Sequence, residues 1–180
     1  REALHSVTAP PGRLERVDTG DDITVLVDYA HTDDGLRNAL TAVRQVKGRG
    51  KLWAVFGCGG DRDVGKRPRM GAAVAELADH VVVTSDNPRT ESPGDIIDAI
   101  LSGINADARR KVSVQADRAR AIAHAVQHAA KGDVVVIAGK GHETTQILAD
   151  GKGGTYAIHF DDREQAREAL RERKAATLSH

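Results

Sequence analysis

The sequence predicts an α/β fold in which a mostly parallel, doubly wound six-stranded sheet carries helices on both faces. Short apolar runs alternate along the chain with segments whose apolar residues recur at the 3.6-residue period of a helix. The runs are nearly continuous in valine and isoleucine, as in strands that are covered on both faces. This alternation is typical of repeated strand-helix-strand units with parallel strands.

Each element has a local signal. A helical stripe follows each of the first four apolar runs. Ser92 before Pro93, and Asp117 before an apolar stripe, are N-cap signals for two of these helices. Residues 155–160 predict a strand at the sheet edge, and residues 161–174 predict a C-terminal helix. The other five strands are predicted within residues 23–30, 51–57, 80–85, 111–115 and 133–139.

The first residues of the chain fit this alternation badly. Pro10, Pro11 and Gly12 would break any helix that began upstream of them. We therefore expect residues 1–19 to be a hinge and tail from a preceding central domain, and residues 20–180 to form one domain with one core. The chain does not begin with methionine, so we expect it to be a piece of a longer protein.

The composition excludes several classes of protein. Lys and Arg total 26 and Asp and Glu total 26, so the net charge is zero and gives no general attraction to nucleic acid or an anionic membrane. No apolar segment approaches the ~20 residues that span a bilayer. Cys58 is the single cysteine, which excludes a disulfide framework, and the N-terminus lacks the pattern of a signal peptide. We expect a cytoplasmic protein that binds neither nucleic acid nor membrane.

Four polar loops follow predicted strands. Ligands of an open parallel sheet bind beyond the carboxyl ends of its strands, where the loops into the following helices gather. Polar side chains in all four loops are therefore candidates for one shared site. The loops are residues 28–34, 57–69, 85–91 and 139–146.

The glycine-rich loop fits neither familiar glycine motif. In the dinucleotide fingerprint GxGxxG that starts at Gly57, the third glycine is replaced by Arg62. At P-loop spacing, Arg67 stands where a Ser or Thr would hold Mg²⁺. Two interpretations remain open: a flexible backbone that approaches an anion, or a plain turn with solvated charges.

The histidines predict no metal site. Residues 142–146 begin like HExxH, but Gln146 stands where the second histidine would be. The eight histidines show no spacing for a structural metal. Taken singly, His31 and His142 are typical of surface or capping histidines, whereas their position at strand ends favours a functional role.

The stretch DNPR at residues 86–89 has the chemistry to hold an amino-acid head group. Pro88 fixes its own backbone and biases Asn87 to an extended conformation, so these side chains have little freedom. Asn87 can donate and accept, and Arg89 offers a planar fork of donors that suits a carboxylate. The alternative is an Asx-turn in which Arg89 forms a surface ion pair.

Five motifs occur in an order that resembles one protein family. Residues 11–146 contain PGRLERV, VDYAHTDDGL, VFGCGGDRDVGKRPRMG, SDNPRTE and AGKGHE in turn. The set resembles the C-terminal part of the Mur ligases, and among them the members that add 2,6-diaminopimelate. The resemblance implies a Rossmann-like domain that binds the incoming amino acid and closes over ATP. It also implies a reaction in which ATP phosphorylates the D-glutamyl carboxylate of UDP-MurNAc-L-Ala-D-Glu and the amine of meso-diaminopimelate then attacks the acyl phosphate.

The resemblance also implies roles for individual positions. An arginine in DNPR pairs with the second carboxylate of diaminopimelate, and relatives that add lysine lack it, so Arg89 favours diaminopimelate here. The cofactors implied are ATP and Mg²⁺, with Mg²⁺ held mainly by the central domain. The residues implied at diaminopimelate are Arg62, Asp86, Asn87, Pro88, Arg89, Gly139 and Glu143. Those implied at ATP are Arg13, Asp28 and His31.

The sequence departs from the family by what it lacks. It contains no P-loop, no central-domain lysine of the kind that is carbamylated in this family, and no UDP-binding domain. Asp33 replaces a common proline, and we expect little effect because Asp can cap a helix. These residues alone are not expected to complete the ligation. The alternative is a stand-alone, non-catalytic module that binds diaminopimelate or a cell-wall peptide.

Overall fold

The computed structural model describes residues 12–17 and 22–178. Its strands are β1 (Glu15–Val17), β2 (Thr24–Asp28), β3 (Leu52–Phe56), β4 (His80–Val83), β5 (Val112–Val114), β6 (Val134–Ala138), β7 (Thr145–Ala149) and β8 (Thr155–His159). The first six form one sheet in the order β1-β2-β6-β3-β4-β5, and β7 pairs with β8 in a separate hairpin. All neighbours in the large sheet are parallel except β1 and β2. The predicted mostly parallel six-stranded sheet is therefore confirmed.

Several helices begin where the sequence supplies a side-chain cap, whereas α2 (Lys66–Leu77) begins after Gly65 without one. The side chain of Ser92 accepts a hydrogen bond from the backbone of Asp95, and that of Asp117 accepts one from Arg120, as predicted. Thr32 caps the first helix in the same way. The helices are α1 (Asp33–Val46), α2 (Lys66–Leu77), α3 (Pro93–Leu101), α4 (Ala106–Arg109), α5 (Arg118–His128) and α6 (Asp162–Leu178).

Two apolar layers cover the sheet. On one face α1, α2 and α3 contribute Leu40, Met70 and Ile100, which are fully buried. On the other face α5 and α6 contribute Ile122 and Leu170, which are equally buried. Burial of each such side chain stabilises the fold by ~1.5–3 kcal/mol. The predicted helices on both faces are confirmed.

The central strand aligns the edge of the sheet that carries the polar loops. In β6, Ala138 pairs in register with Asp28 of β2 on one side and with Phe56 of β3 on the other. The carboxyl ends of these three parallel strands therefore lie level. Because the following loops leave the sheet at the same height, they can meet over its edge.

The sixth strand of the large sheet is not the predicted one. The prediction that residues 155–160 form a strand at the sheet edge was wrong, since β8 pairs antiparallel with β7 instead. The reason is local: residues 150–154 form a short loop that returns the chain to a partner only a few residues away. Sequence reasoning had placed the start of β7 in a loop.

The edge position is taken by β1, a strand that was not predicted. Its start is fastened to β2, because the backbone N–H of Leu14 donates to the Asp28 carboxylate at 2.8 Å. Arg163 of α6 contacts the Glu15 carboxylate at 3.6 Å. Most of the expected hinge, including the boundary between residues 19 and 20, lies outside the described residues.

Within the described part of the chain, no helix is long and apolar enough to cross a membrane.

A cluster of rings lies at the amino end of the sheet. The ring of His80 stacks on that of Trp53 with centroids 4.1 Å apart, and the ring of His124 lies 6.5 Å from Trp53. His128 lies 4.2 Å from His124. Partial burial lowers the pKa of His80 and that of His124, so protonation of either ring is unfavourable in the folded protein.

We predict that the melting temperature falls as the pH is lowered from about 7 to 5, in part through these two rings. Their pKa in the folded state lies below the ordinary value of 6.5, so their contribution is present above pH 6.5 and is lost as the pH falls through the folded-state pKa. His80→Phe and His124→Phe should each make the decline shallower. His159→Gln, at an exposed residue paired with Glu164, is the control. An unchanged pH slope in both phenylalanine variants would contradict the prediction.

Candidate functional site

The four polar loops converge on one cavity, as the sequence predicted, and a second cavity adjoins it. The smaller, which we call the inner cavity, has a volume of about 310 Å³. The larger, which we call the groove, has a volume of about 820 Å³ and runs between β1, β2 and α1. Tyr29 and His31 line both cavities. The other residues that line the inner cavity are Gly57, Cys58, Gly59, Arg62, Lys66, Asp86, Asn87, Arg89, Gly139 and Glu143.

Carboxylates connect the glycine-rich loop to the loop that carries DNPR. Asp61 accepts hydrogen bonds from the backbone and hydroxyl of Thr90, at 3.2 and 2.8 Å. Arg67, which is buried, donates to Glu91 at 2.8 Å. The bond from Thr90 lowers the pKa of Asp61, and the bond from Arg67 lowers the pKa of Glu91. Both carboxylates are therefore ionised at neutral pH and hold the two loops together.

Close backbone contacts require glycine at two positions of this loop. A Cβ atom at Gly60 would lie 1.9 Å from the carbonyl oxygen of Pro88, and one at Gly57 would lie 2.3 Å from that of Thr84. The backbone N–H of Gly60 also donates to the carbonyl of Asn87 at 2.9 Å. The glycines thus serve the packing of the two loops rather than a dinucleotide fingerprint.

Arg89 presents part of its guanidinium to the inner cavity. Its backbone has a left-handed φ of 54°, and its N–H donates to the carbonyl of Ile147 at 3.1 Å. Its Nη1 donates to the carbonyl of Gly60 at 2.7 Å. No described residue accepts from its Nε or Nη2, so this edge of the guanidinium is left for a ligand. A non-glycine residue with this φ is strained, and such strain clusters at binding sites.

The acidic side of the inner cavity consists of Asp86 and Glu143. Asp86 is 8% exposed, and among the described residues none hydrogen-bonds to its buried Oδ1. The Nζ of Lys140 lies 3.4 Å from that atom and 3.6 Å from Oε2 of Glu143. Because Oδ1 is buried, the ammonium of Lys140 offsets its charge, and Asp86 meets the inner cavity through the rest of its carboxylate. Asn87 completes this side, with its Nδ2 3.3 Å from Glu143.

The remaining residues expected at the amino acid differ in what they contribute. Arg62 is exposed at the rim of the inner cavity, and its Nη1 donates to the carbonyl of Asp61 over a long distance of 3.4 Å. Gly139 lies against Asp86 and has a left-handed φ of 124°. Pro88 does not line the cavity; it is buried and its carbonyl accepts from Glu91.

The three residues expected at the nucleotide lie together along the groove. Arg13 and His31 are exposed, and Nδ1 of His31 lies 2.9 Å from the carbonyl of Tyr29. Asp28 is buried, and its two oxygens accept from the backbone of Ala30 and of Leu14 at 2.7 and 2.8 Å. The structure therefore separates the two expected sets of residues and leaves Tyr29 and His31 at their border.

Two buried cations were missed by sequence reasoning. Lys140 and Arg118 are fully buried. Arg118 donates to both oxygens of Asp162 at 2.8 and 2.7 Å, and to the carbonyls of Ser85 and Ala138 at 3.2 and 3.0 Å. The one sequence signal for Lys140 was its place between two glycines at the end of an apolar strand. Arg118 gave no signal, because it follows a helix cap where a charged residue is ordinarily exposed.

The cysteine of the inner cavity is not a reactive thiol, and the described residues hold no cluster of metal ligands. Burial raises the pKa of the Cys58 thiol to about 12, so the thiolate is not formed at neutral pH. The described residues contain no group of three or more His, Cys, Asp or Glu arranged to hold a metal ion. The arrangement can bind and orient charged groups through hydrogen bonds and ion pairs.

Comparison with known proteins decides the family. The family model described as "Mur ligase, glutamate ligase domain" matches residues 12–141. The chain belongs to the Mur ligase family. The resemblance carried by the five motifs is thereby confirmed.

The relatives of this Mur ligase domain are longer proteins. It is 61% identical over 174 residues to the UDP-N-acetylmuramoyl-L-alanyl-D-glutamate-2,6-diaminopimelate ligase of Synechococcus sp. (strain WH7803), covering 94% of this chain and 33% of that protein. The ligase of the same name from Gloeobacter violaceus is 60% identical over 166 residues, covering 92% and 32%. The chain thus spans about a third of the length of these relatives.

Solved structures agree with the fold. A structure of a UDP-N-acetylmuramoyl-L-alanyl-D-glutamate-2,6-diaminopimelate ligase superposes with a TM-score of 0.82 at 40% identity, covering 96% of this chain and 34% of that one. A murein peptide ligase from Psychrobacter arcticus superposes with a TM-score of 0.57 at 23% identity, covering 78% of this chain and 29% of that one. The second comparison supports the fold alone.

The contact between the two loops gives a stability prediction for this Mur ligase domain. Gly60→Ala should lower the free energy of unfolding by ~1–3 kcal/mol, because its Cβ would collide with the carbonyl of Pro88 and force the loops apart. Gly94→Ala is the matched control, since the nearest atom to its Cβ would lie 3.6 Å away. Chemical denaturation measures both. Equal stability of the two variants would contradict this account of the loop contact.

The buried ion pair gives a second prediction. Arg118→Met and Asp162→Leu should each destabilise the protein by ~3–5 kcal/mol, because each leaves an unpaired buried charge. The double variant should be less destabilised than the sum of the single variants. Denaturation of the three variants checks this. Simple additivity would show that the two side chains do not depend on each other.

Proposed function

We propose that this chain is the C-terminal domain of an ATP-dependent amide ligase that adds meso-2,6-diaminopimelate to UDP-MurNAc-L-Ala-D-Glu in peptidoglycan synthesis. In this proposal residues 1–19 are the hinge from the central domain, and residues 20–180 bind the incoming amino acid and close over ATP. The two diaminopimelate ligases that the chain resembles at 60% and 61% identity support the choice of reaction. ATP and nucleotide sugars are cytoplasmic compounds, so we propose that the enzyme is cytoplasmic.

The observation that carries the proposal is the charge pattern of the inner cavity. Diaminopimelate has a carboxylate and an ammonium group at each end. Arg62, Arg89 and the Nδ2 of Asn87 are donors that can bind carboxylates, whereas Asp86 and Glu143 are acceptors for an ammonium group. One cavity therefore offers partners of both signs. Lysine has a single carboxylate and would leave the desolvated edge of Arg89 unpaired.

The groove supports the nucleotide half of the proposal. Arg13 would neutralise the terminal phosphate, Asp28 would accept from the ribose, and His31 would lie between nucleotide and amino acid. Asp28 already accepts two backbone hydrogen bonds, but each carboxylate oxygen can accept a further one. Mg²⁺, which would neutralise phosphate charge during transfer, would be held mainly by residues outside this chain.

The contribution of this chain to the reaction is positional. Orienting the reacting amine toward an acyl phosphate converts an encounter of two molecules into a step within one complex. Asp86 and Glu143 would hold one ammonium group and the arginines the carboxylates, so the other amine is directed toward the border residues. The carbon-nitrogen bond forms as phosphate leaves, and the amine proton passes to solvent or a nearby base.

We predict that the full-length protein consumes ATP only when both UDP-MurNAc-L-Ala-D-Glu and diaminopimelate are present. Lysine should be used with a kcat/KM lower by up to ~10⁴-fold. Arg89→Ala should lower kcat/KM for diaminopimelate by ~30-fold or more, because a carboxylate loses its half-buried charged partner. Arg120→Ala is the control, since Arg120 lies on the exposed side of α5. Equal turnover of lysine and diaminopimelate by the unaltered protein would overturn the proposal.

A further inference from the structure

We infer that Lys140 is a positioning residue, which fixes the side-chain amide of Asn87 so that its donor group faces the inner cavity. This inference rests on the proposed function and deepens it. Lys140 is absent from the residues that line the inner cavity, so it would act on the amino acid through its neighbours. Its effect would be to make the subsite at Asn87 select a carboxylate.

Lys140 carries a buried charge. Its side chain has no exposed surface, which is rare for lysine and costly unless every donor finds an acceptor. Its Nζ donates to Oδ1 of Asn87 at 3.0 Å and to the carbonyl of Thr145 at 2.6 Å. The third N–H faces the carboxylates of Asp86 and Glu143, at 3.4 and 3.6 Å. The ammonium group is therefore held from all sides by oxygen atoms.

Neighbouring donors fix the orientation of the Asn87 amide. Its Oδ1 accepts from two groups, the Nζ of Lys140 and the backbone N–H of Ile147, each at 3.0 Å. Neither group can accept a hydrogen bond, because an ammonium and a backbone N–H are donors only. A flipped amide would place Nδ2 against two donors. The oxygen must therefore face Lys140, which settles an assignment that geometry alone leaves open.

The orientation of the Asn87 amide determines which group of a ligand it can bind. With Oδ1 facing inward, Nδ2 faces the inner cavity and donates one N–H to Glu143 at 3.3 Å. Its second N–H remains for a ligand. A group that can only donate selects a carboxylate oxygen and rejects an ammonium. The amide of Asn87 could otherwise bind either group, so Lys140, together with the backbone N–H of Ile147, makes this subsite select a carboxylate.

Lys140 also changes the net charge at the acidic side of the inner cavity. Asp86 and Glu143 place two negative charges at one side of the cavity, and Lys140 lies between them and offsets one. One net negative charge is then left for one ammonium group of the ligand. Gly139 and Gly141, with φ of 124° and 55°, give the backbone the path that carries Lys140 inward.

The decisive variant is Lys140→Met in the full-length protein, which removes the charge and keeps the length of the side chain. The KM for diaminopimelate should rise about tenfold or more, while the KM for ATP changes less than about twofold, because the loss is confined to hydrogen bonds around a charged group. Lys111→Met is the matched control, since Lys111 also donates to a carbonyl, that of Ala78, but lies away from both cavities. An unchanged KM for diaminopimelate in Lys140→Met overturns the inference.

A double-mutant cycle separates positioning from a merely structural role. Lys140→Met should raise the KM for diaminopimelate about tenfold in the unaltered protein. If Lys140 acts through Asn87, the same substitution should raise this KM by less than about threefold in an Asn87→Ala background. Multiplication of the two effects would show that Lys140 acts independently of the amide, and would overturn the inference.

A second variant tests the amide if Lys140→Met fails to fold. Asn87→Asp keeps an oxygen for Lys140 and Ile147 but replaces Nδ2 by an acceptor. It should raise the KM for diaminopimelate about tenfold or more, because the ligand carboxylate then meets another carboxylate; an unchanged KM overturns the inference. The unaltered protein keeps the two proposals distinct. If it does not use diaminopimelate, the proposed function fails; if it does and the variants leave KM unchanged, only the role of Lys140 fails.

Discussion

The buried ion pair between Arg118 and Asp162 holds the functional edge of the sheet together. Arg118 also binds the carbonyls of Ser85 and Ala138, the residues that immediately precede Asp86 and Gly139. Ala138 ends β6 and Ser85 lies just after the end of β4, and these two strands are separated by β3 and share no ladder hydrogen bonds. Arg118 therefore bridges the two halves of the inner cavity, alongside the hydrogen bonds that Asn87 accepts from Lys140 and Ile147. Burial alone would lower the pKa of Arg118, but the carboxylate of Asp162 raises it, so the cation persists.

The site has one half that is built in advance and one half that is open. Asp86, Asn87 and Lys140 are buried and hydrogen-bonded to the protein itself, so this side of the inner cavity is formed without a ligand. Arg13 and His31 are exposed, and the groove beside them is much larger than the inner cavity. A preorganised pocket gives selectivity at low entropic cost, whereas an open groove suits a ligand that a second body also contacts.

The sequence was informative where structure follows from a repeated local pattern. Runs of valine and isoleucine predicted the parallel strands, and polar loops at their ends predicted where side chains would meet. The sequence did not predict β1, because this strand has only three residues, two of them charged, and forms no apolar run. It predicted the wrong partner for β8, because a strand whose residues are all exposed has no apolar pattern that indicates what it pairs with. Lys140 and Arg118 could not be found, since an isolated cation in a sequence is ordinarily exposed and their partners lie far along the chain.

The antiparallel strand β1 determines that the guanidinium groups of Arg13 and Arg89 would move together in a domain rotation. The backbone of Leu14 is tied to Asp28, and Glu15 to Arg163, so the segment that carries Arg13 is fastened to the same body as Arg89. Any rotation of this body as a unit turns both guanidinium groups through the same angle. In the proposed roles, Arg13 at the phosphate and Arg89 at the amino acid would reach their ligands together, with their spacing already fixed.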